Sequence, residues 1–292
     1  IRTRRPAWVF LDSSSLGWIA LLTKVVSPTT RVITFFHNIE FDFQMDRSRL
    51  EGVQYRLAAA AEFVNERLTV GSSDTLIMLT KEDSMRAREL YGRGADALMP
   101  VVLDDVVEAG RDFAEVSGSD RTVILFVGSN FYANREAVSF LVNKLAPRLE
   151  GHARKWTIVV VGNGFAKKDW VGKVPNNVQL LGRVDELDAL YREAAVVVAP
   201  VFSGGGIKVK VAEALMHGRP VIGTPLALRG YLSDNVRRPH LRVASTVEEY
   251  MHAIDDITER CSELASAARR DFVERFSPSA GVRRMKDLLD VN

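Results

Sequence analysis

One cysteine, Cys261, stands among 292 residues, so there is no disulfide framework, no cysteine-ligated metal cluster and no paired redox thiol. No apolar run approaches the roughly 20 residues that a bilayer-crossing helix needs. Charge of one sign is also missing. Lys+Arg number 39 and Asp+Glu 37, a net +2 that argues against bulk nucleic-acid binding and leaves only local basic patches. No carboxylate or histidine cluster has metal-ligand spacing. Low-complexity segments and short-period repeats are absent. The opening Ile1-Arg2-Thr3-Arg4-Arg5-Pro6 has no initiator Met and no apolar signal segment behind it, and the expectation is a chain that begins inside a longer protein. Cysteine usage fits a reducing compartment, cytoplasmic by default.

What is present is a globular composition, 47% hydrophobic and 26% charged, with length for two domains. Trp8–Leu11, Arg31–Phe36, Asp74–Leu79 and Ala97–Val102 read as buried strands. Helical patterns lie between them at about Leu16–Val25, Arg47–Leu68 and from Thr80 to Tyr91. Thr80 with Asp83 forms a capping-box arrangement there, and Gly92 ends the helix. The acidic, aperiodic stretch from Asp104 to Arg121, with Ser117-Gly118-Ser119, is the expected domain boundary. A second series follows. Its strands are Thr122–Val127, Thr157–Val161, Val178–Leu181 and Val196–Ala199, and its helices Asn134–Leu149 and Leu187–Ala194. Helices over Thr246–Glu259, Cys261–Phe276 and Ser279–Leu289 close the chain. Strands alternating with helices predict parallel, doubly wound sheets.

The stretch from Val196 to Thr224 organises the rest. An apolar β-branched strand stops at Pro200, three glycines follow at Gly204, Gly205 and Gly206, and Ile207–Met216 has helical spacing. Gly218 and Pro220 then lead into a second short buried strand. Glycines let backbone amides approach a ligand, and a helix N-terminus presents unpaired N–H groups at a positive dipole end. Lys208 and Lys210 add full charge, which suits a diphosphate. Further turn sequences, Gly128-Ser129-Asn130, Gly162-Asn163-Gly164 and Gly182-Arg183, fall at predicted carboxyl ends of strands, where open parallel sheets bind ligands. Gly162 to Lys167 falls short of G-x-G-x-x-G because Lys occupies its last position, which removes the main support for a dinucleotide dehydrogenase.

The order of parts across Gly204–Glu213 and Gly218–Ile222 resembles the donor-site loop and helix of the family 4 glycosyltransferases, the large retaining GT-B group. The likeness is to the branch with a glycine-rich loop, a basic pair, Glu-Ala-Leu, a Gly and Pro-Val-Ile. Phe126-Val127-Gly128-Ser129 with Tyr132 and Asn134 is similar to the opening of that branch's C-terminal domain. Val161–Gly164 looks like its next glycine turn. Val178–Val184 with Leu187, Leu190 and Tyr191 resembles its base-pocket segment, and His37-Asn38-Ile39-Glu40 the histidine-bearing strand end of the acceptor domain. Phe276-Ser277-Pro278 looks like the crossing segment. Two positions depart from the family. Many members carry a second glutamate before Glu213, where this chain has Gly205; members often have Arg and Lys in the first loop, where this chain has Ser129 and Asn134.

The resemblance implies an α/β GT-B fold: an N-terminal acceptor-side Rossmann-like domain over 1–118, a C-terminal nucleotide-sugar domain over 119–276, and a terminal helix over 277–292 that crosses back. The two domains would face a cleft. The N-terminal domain has fewer strands than the family's and is expected to be incomplete at its start. The implied function is a retaining glycosyltransferase (EC 2.4) that moves a sugar from a nucleotide-diphosphate sugar to a glycan, lipid-linked or other acceptor, without a metal or other cofactor. The expected partners are the donor and that acceptor, with no nucleic acid. The expected location is cytoplasmic, compatible with peripheral attachment at the inner membrane face. The implied catalytic residues are His37, Lys210 and Glu213. Donor contacts fall to Gly128, Ser129, Asn130, Asn163, Gly164, Arg183, Val184, Gly204, Gly205, Gly206, Ile207 and Lys208. Read from residue type alone, His37 also fits a structural histidine, Glu213 a solvated helix carboxylate and Arg183 a surface arginine. The other reading is a catalytically silent GT-B protein that binds a sugar nucleotide or a partner enzyme. A GT-B epimerase would need carboxylates paired for acid/base work, and no obvious pair is present.

Overall fold

The computed structural model describes residues 6–108, 111, 113, 122–232 and 236–290. Contacts divide the chain into two compact units. One holds the residues up to Val101, the segment Ser203–Ile207 and the chain from Gly281; the other holds Val102–Phe202 and Lys208–Ala280. The boundary expected at 118/119 lies outside the described residues.

The first unit is built on β1 (Trp8–Leu11), α1 (Gly17–Val26), β2 (Arg31–Phe36), α2 (Glu40–Glu51), α3 (Tyr55–Ser72), β3 (Thr75–Met78), α4 (Lys81–Tyr91) and β4 (Ala97–Leu98). Its sheet is parallel, in the order β1-β2-β3-β4. Phe36, Leu76 and Met78 pack with Val70 and Ala87 into its main core. The single helix expected over Arg47–Leu68 is in fact two. Gly52 sits at φ 130°, a conformation that breaks a helix and that residues with a Cβ rarely adopt. The strand expected over Ala97–Val102 pairs only at Ala97 and Leu98. The cap of α4 forms at Thr80, whose Oγ1 accepts the Asp83 N–H at 3.0 Å. The Asp83 carboxylate accepts the Thr80 hydroxyl at 2.7 Å, so the reciprocal half of a capping box is replaced by a side-chain pair.

The second unit comprises β5 (Thr122–Val127), α5 (Tyr132–Phe140), α6 (Ala146–Glu150), β6 (Trp156–Val161), β7 (Val178–Gly182), α7 (Asp188–Glu193), β8 (Ala194–Ala199), α8 (Val209–Met216), β9 (Val221–Gly223), β10 (Leu241–Val243), α9 (Val247–Glu259) and α10 (Cys261–Arg275). A π-helical stretch, Leu141–Leu145, joins α5 to α6. The last helix, α11 (Pro278–Asp290), follows. β10 gave no signal in the sequence, because three residues at a sheet edge are too few to show a period.

The parallel sheet of this unit runs β10-β9-β8-β5-β6-β7. From β5 the chain winds outward through β6 to β7, then returns to β8 on the other side of β5. The reversal between β5 and β8 is a topological switch point, where the connections diverge and leave a crevice beyond the strand ends. β6 and β8 are buried along their whole length, as their apolar β-branched runs require.

Candidate active site

The switch point is lined first by two short loops. The Gly128 N–H donates to the Val161 carbonyl at 2.9 Å, and the Asn130 N–H to the Asn163 carbonyl at 2.9 Å. Asn130 Nδ2 also donates to the Gly164 carbonyl at 3.0 Å. Gly128-Ser129-Asn130 and Gly162-Asn163-Gly164 therefore form one rim, with Ser129, Asn130 and Asn163 exposed. Gly162 makes that approach possible: at φ 150°, any Cβ there would lie 1.9 Å from the Gly128 carbonyl oxygen.

α8 supplies the charge. No side chain caps its N-terminus at Lys208, and the Lys208 carbonyl accepts the Tyr231 hydroxyl at 2.9 Å. Lys210, in the first turn, donates from Nζ to Asn134 Oδ1 at 2.9 Å and lies 4.1 Å from the centre of the Phe126 ring. Asn134 Nδ2 in turn donates to the Ser129 carbonyl at 2.7 Å. A Cβ at Gly128 would come 2.7 Å from Lys210 Nζ, so this glycine provides space for the ammonium. Burial, reinforced by the nearby Lys208 charge, pulls the Lys210 amine down to about 7, while Glu213 acts in the opposite direction. An arriving dianion would restore the proton and the full charge.

Lys210 and Glu213 are three positions apart, on one face of α8. Glu213 borders a cavity of about 610 Å³ that is also lined by Leu187, Asp188, Tyr191 and His217. The Tyr191 hydroxyl donates to Glu213 Oε2 at 3.3 Å, and burial raises the Glu213 carboxyl. Behind it, the Tyr191 and His217 rings stack at 4.3 Å, 3° from parallel. Burial pulls His217 down to about 4, which leaves it neutral at physiological pH. Arg111 grips Asp188 with two hydrogen bonds, 2.7 and 2.6 Å, and Arg192 adds a third at 2.7 Å; Arg111 above all holds the Asp188 carboxyl well below the usual range.

In the first unit, His37 follows β2 and Asp12 follows β1, neighbouring parallel strands. His37 Nε2 lies 2.9 Å from Asp12 Oδ1, both side chains are exposed, and the Phe35 ring meets the imidazole edge-on. The glycine segment belongs to this unit. The Gly204 N–H donates to Asp46 Oδ2 at 3.3 Å, and a Cβ at Gly206 would come 3.2 Å from Asn38 Cβ and 3.3 Å from the His37 carbonyl. Gly205 has room for a side chain, its nearest neighbour being 3.9 Å away. Ile207 is half-buried.

The structure thus gathers Gly128, Asn130, Asn163, Gly164 and Lys210 at the switch point, with Glu213 a turn further along α8. His37 lies beside Gly206. Arg183, exposed, and Val184, half-buried, follow the edge strand β7 and are not on the cavity wall, which takes Glu186 and Leu187 instead. Asp12, Arg111, Asp188 and His217 carry no signal in the sequence that would assign them to a site, and Phe126 and Asn134 register there only within the motif that opens the second series, with no contact to Lys210 implied.

Residues 121–260 match the family model described as Glycosyl transferases group 1. No curated protein sequence matches the chain. Among solved structures, Anabaena Alr3699/HepE in complex with UDP-glucose is similar over 97% of this chain and 79% of its own, at 14% identity and a TM-score of 0.67. Sucrose-phosphate synthase from Thermosynechococcus elongatus matches over 97% of this chain and 73% of its own, at 16% identity and 0.71. WaaG, a glycosyltransferase involved in lipopolysaccharide biosynthesis, matches over 93% and 80%, at 19% identity and 0.65. The fold is that of the GT-B glycosyltransferases, an α/β architecture with two parallel sheets.

Proposed function

We propose that the protein is a glycosyltransferase that moves a sugar from a nucleoside-diphosphate sugar to a hydroxyl-bearing acceptor with retention at the anomeric carbon. The observation that carries this reading is the placement of Lys210 and Glu213 on one face of α8 at the switch point, a basic group over the Gly128 rim and a carboxylate on the adjoining cavity. That spacing suits a diphosphate joined to a ribose. The group 1 match over 121–260 and the UDP-glucose complex of the Anabaena protein support the same donor class. Charge grows on the diphosphate as the glycosidic bond breaks, and Lys208, Lys210 and the α8 N-terminus are preorganised to meet it. Removal of one such donor typically costs about 2.7–4 kcal/mol of transition-state stabilisation. With that charge in place the proposed reaction needs no metal. His37, oriented by Asp12, contacts the transferred sugar or the acceptor, a glycan or a lipid-linked saccharide.

Gly205, at a position where many members carry a glutamate, favours a second reading: a silent protein that binds the sugar nucleotide without transferring it. Incubation with nucleotide sugars and a panel of saccharide acceptors, with and without EDTA, separates the two. NMR of the product's anomeric proton reads the configuration. Transfer with retention, unaffected by EDTA and lost in Lys210→Ala, is expected. Binding without turnover on any acceptor supports the silent reading, and an inverted product overturns retention.

A further inference from the structure

Of the three consecutive glycines before α8, the fold itself explains two. Gly204 and Gly206 lie at φ 91° and 69°, in the left-handed region that favours glycine, and both are buried. Gly205 differs. Its φ lies outside that region and it is half-exposed. A Cβ there would meet Asn38 Cβ at 3.9 Å, and the Ile39 carbonyl oxygen and Phe43 Cβ each at 4.0 Å. Those are ordinary van der Waals distances, so neither backbone nor packing excludes a side chain. A glycine at such a position costs conformational stability for no structural return, and close approach of a ligand to the backbone is the use of glycine that remains. Gly205 stands three residues before Lys208, the cap position of α8. That much chain spans about 10 Å at most, which keeps Gly205 near the helix N-terminus that the donor reading assigns to the diphosphate.

The room beside Gly205 has a defined chemistry. Two of the atoms that face it are aliphatic carbons, and the third is a carbonyl oxygen. The Ile39 carbonyl accepts the Phe43 N–H at 3.1 Å, and a carbonyl oxygen has a second lone pair to offer. A group that fits carries an N–H beside a methyl. An acetamido group has both: its N–H meets the Ile39 carbonyl, and its methyl meets the Asn38 and Phe43 carbons. A lone hydroxyl leaves the aliphatic carbons without contact. A carboxylate or phosphate sets negative charge against the carbonyl oxygen. Resting on the nucleotide-sugar reading above, we propose that the transferred sugar is an N-acetylated hexosamine whose acetamido group packs beside Gly205, which makes Gly205 a specificity-determining residue.

Calorimetric titration of the whole chain with matched donors tests this: UDP-N-acetylglucosamine against UDP-glucose, and UDP-N-acetylgalactosamine against UDP-galactose. UDP, GDP, ADP and CDP, titrated into the wild type and Lys210→Ala, read the nucleotide site separately. The expected result is an acetamido donor bound at least about tenfold more tightly than its plain partner, a ratio reduced in Gly205→Ala and abolished in Gly205→Val. Gly205→Ala should melt no lower than the wild type, whereas Gly206→Ala, held in left-handed backbone, should melt lower. Lys210-dependent nucleotide binding with no preference for the acetamido donor in either pair overturns the sugar assignment and leaves the glycosyltransferase reading standing. A preference that survives Gly205→Val overturns the role of Gly205. Absence of any Lys210-dependent nucleotide binding overturns both readings together.

Discussion

Lys210 is the residue on which the donor site turns, and its environment makes its charge conditional. With its amine at about 7, the free protein holds Lys210 largely neutral at alkaline pH, and a bound diphosphate must bring in a proton. Nucleoside diphosphate affinity is therefore expected to fall as pH rises above 7, by up to about tenfold per unit. Calorimetry in buffers of different ionisation enthalpy should register proton uptake in the wild type and none in Lys210→Ala. The effect on folding follows from the same shift. The unfolded amine titrates near 10.5 and the folded one near 7, so between these values the unfolded chain binds more protons and stability rises with pH. Lys210→Met removes a desolvated ammonium. It should raise the stability of the free protein at neutral pH by about 1 kcal/mol, measured by urea denaturation, while nucleotide binding is lost. A basic residue behind a glycine loop was legible in the sequence. Its depressed proton affinity was not, because Phe126, Gly128 and Asn134 are brought to it from far along the chain.

Among the elements, α2 shows how the first unit sets its site edge. The helix starts just after His37, at Glu40, with Ile39 at the cap position and no side-chain cap of its own. Glu66, on α3 and fully buried, takes that part instead. Its carboxylate accepts the Glu40 N–H at 2.8 Å, the Phe41 N–H at 3.1 Å and the Tyr91 hydroxyl at 2.7 Å. A carboxylate at a helix N-terminus meets both the orphan N–H groups and the dipole. Burial raises the Glu66 carboxyl, and these hydrogen bonds oppose the rise. Glu66→Ala would strand three donors, each costing about 1–3 kcal/mol, so urea unfolding should show a loss of about 3 kcal/mol or more. Glu66→Gln, which keeps one acceptor oxygen, should lose less; equal losses would show that the carboxylate does not cap α2. A glutamate in the middle of a helical pattern reads as solvent-facing, which is why this contact could not be anticipated.

At the scale of the whole molecule, the two units have separate cores and separate parallel sheets. Hydrogen-exchange mass spectrometry with a bound nucleoside diphosphate should protect 128–130, 162–164 and the first turn of α8, segments far apart in sequence that the switch point gathers. Protection confined to other segments would move the donor site elsewhere. The strand-helix alternation, the turn glycines and the basic start of α8 could be read from composition and spacing, because each depends on residues within one or two turns of chain. The order β10-β9-β8-β5-β6-β7, which sets Gly128 against Lys210, depends on which strands pair, and no local pattern encodes that. The same holds for the cavity wall that joins Asp104, Glu186 and His217, and for the pairing of His37 with Asp12. Burial and long-range contact set the charge state of Lys210, which arises only once the chain is folded.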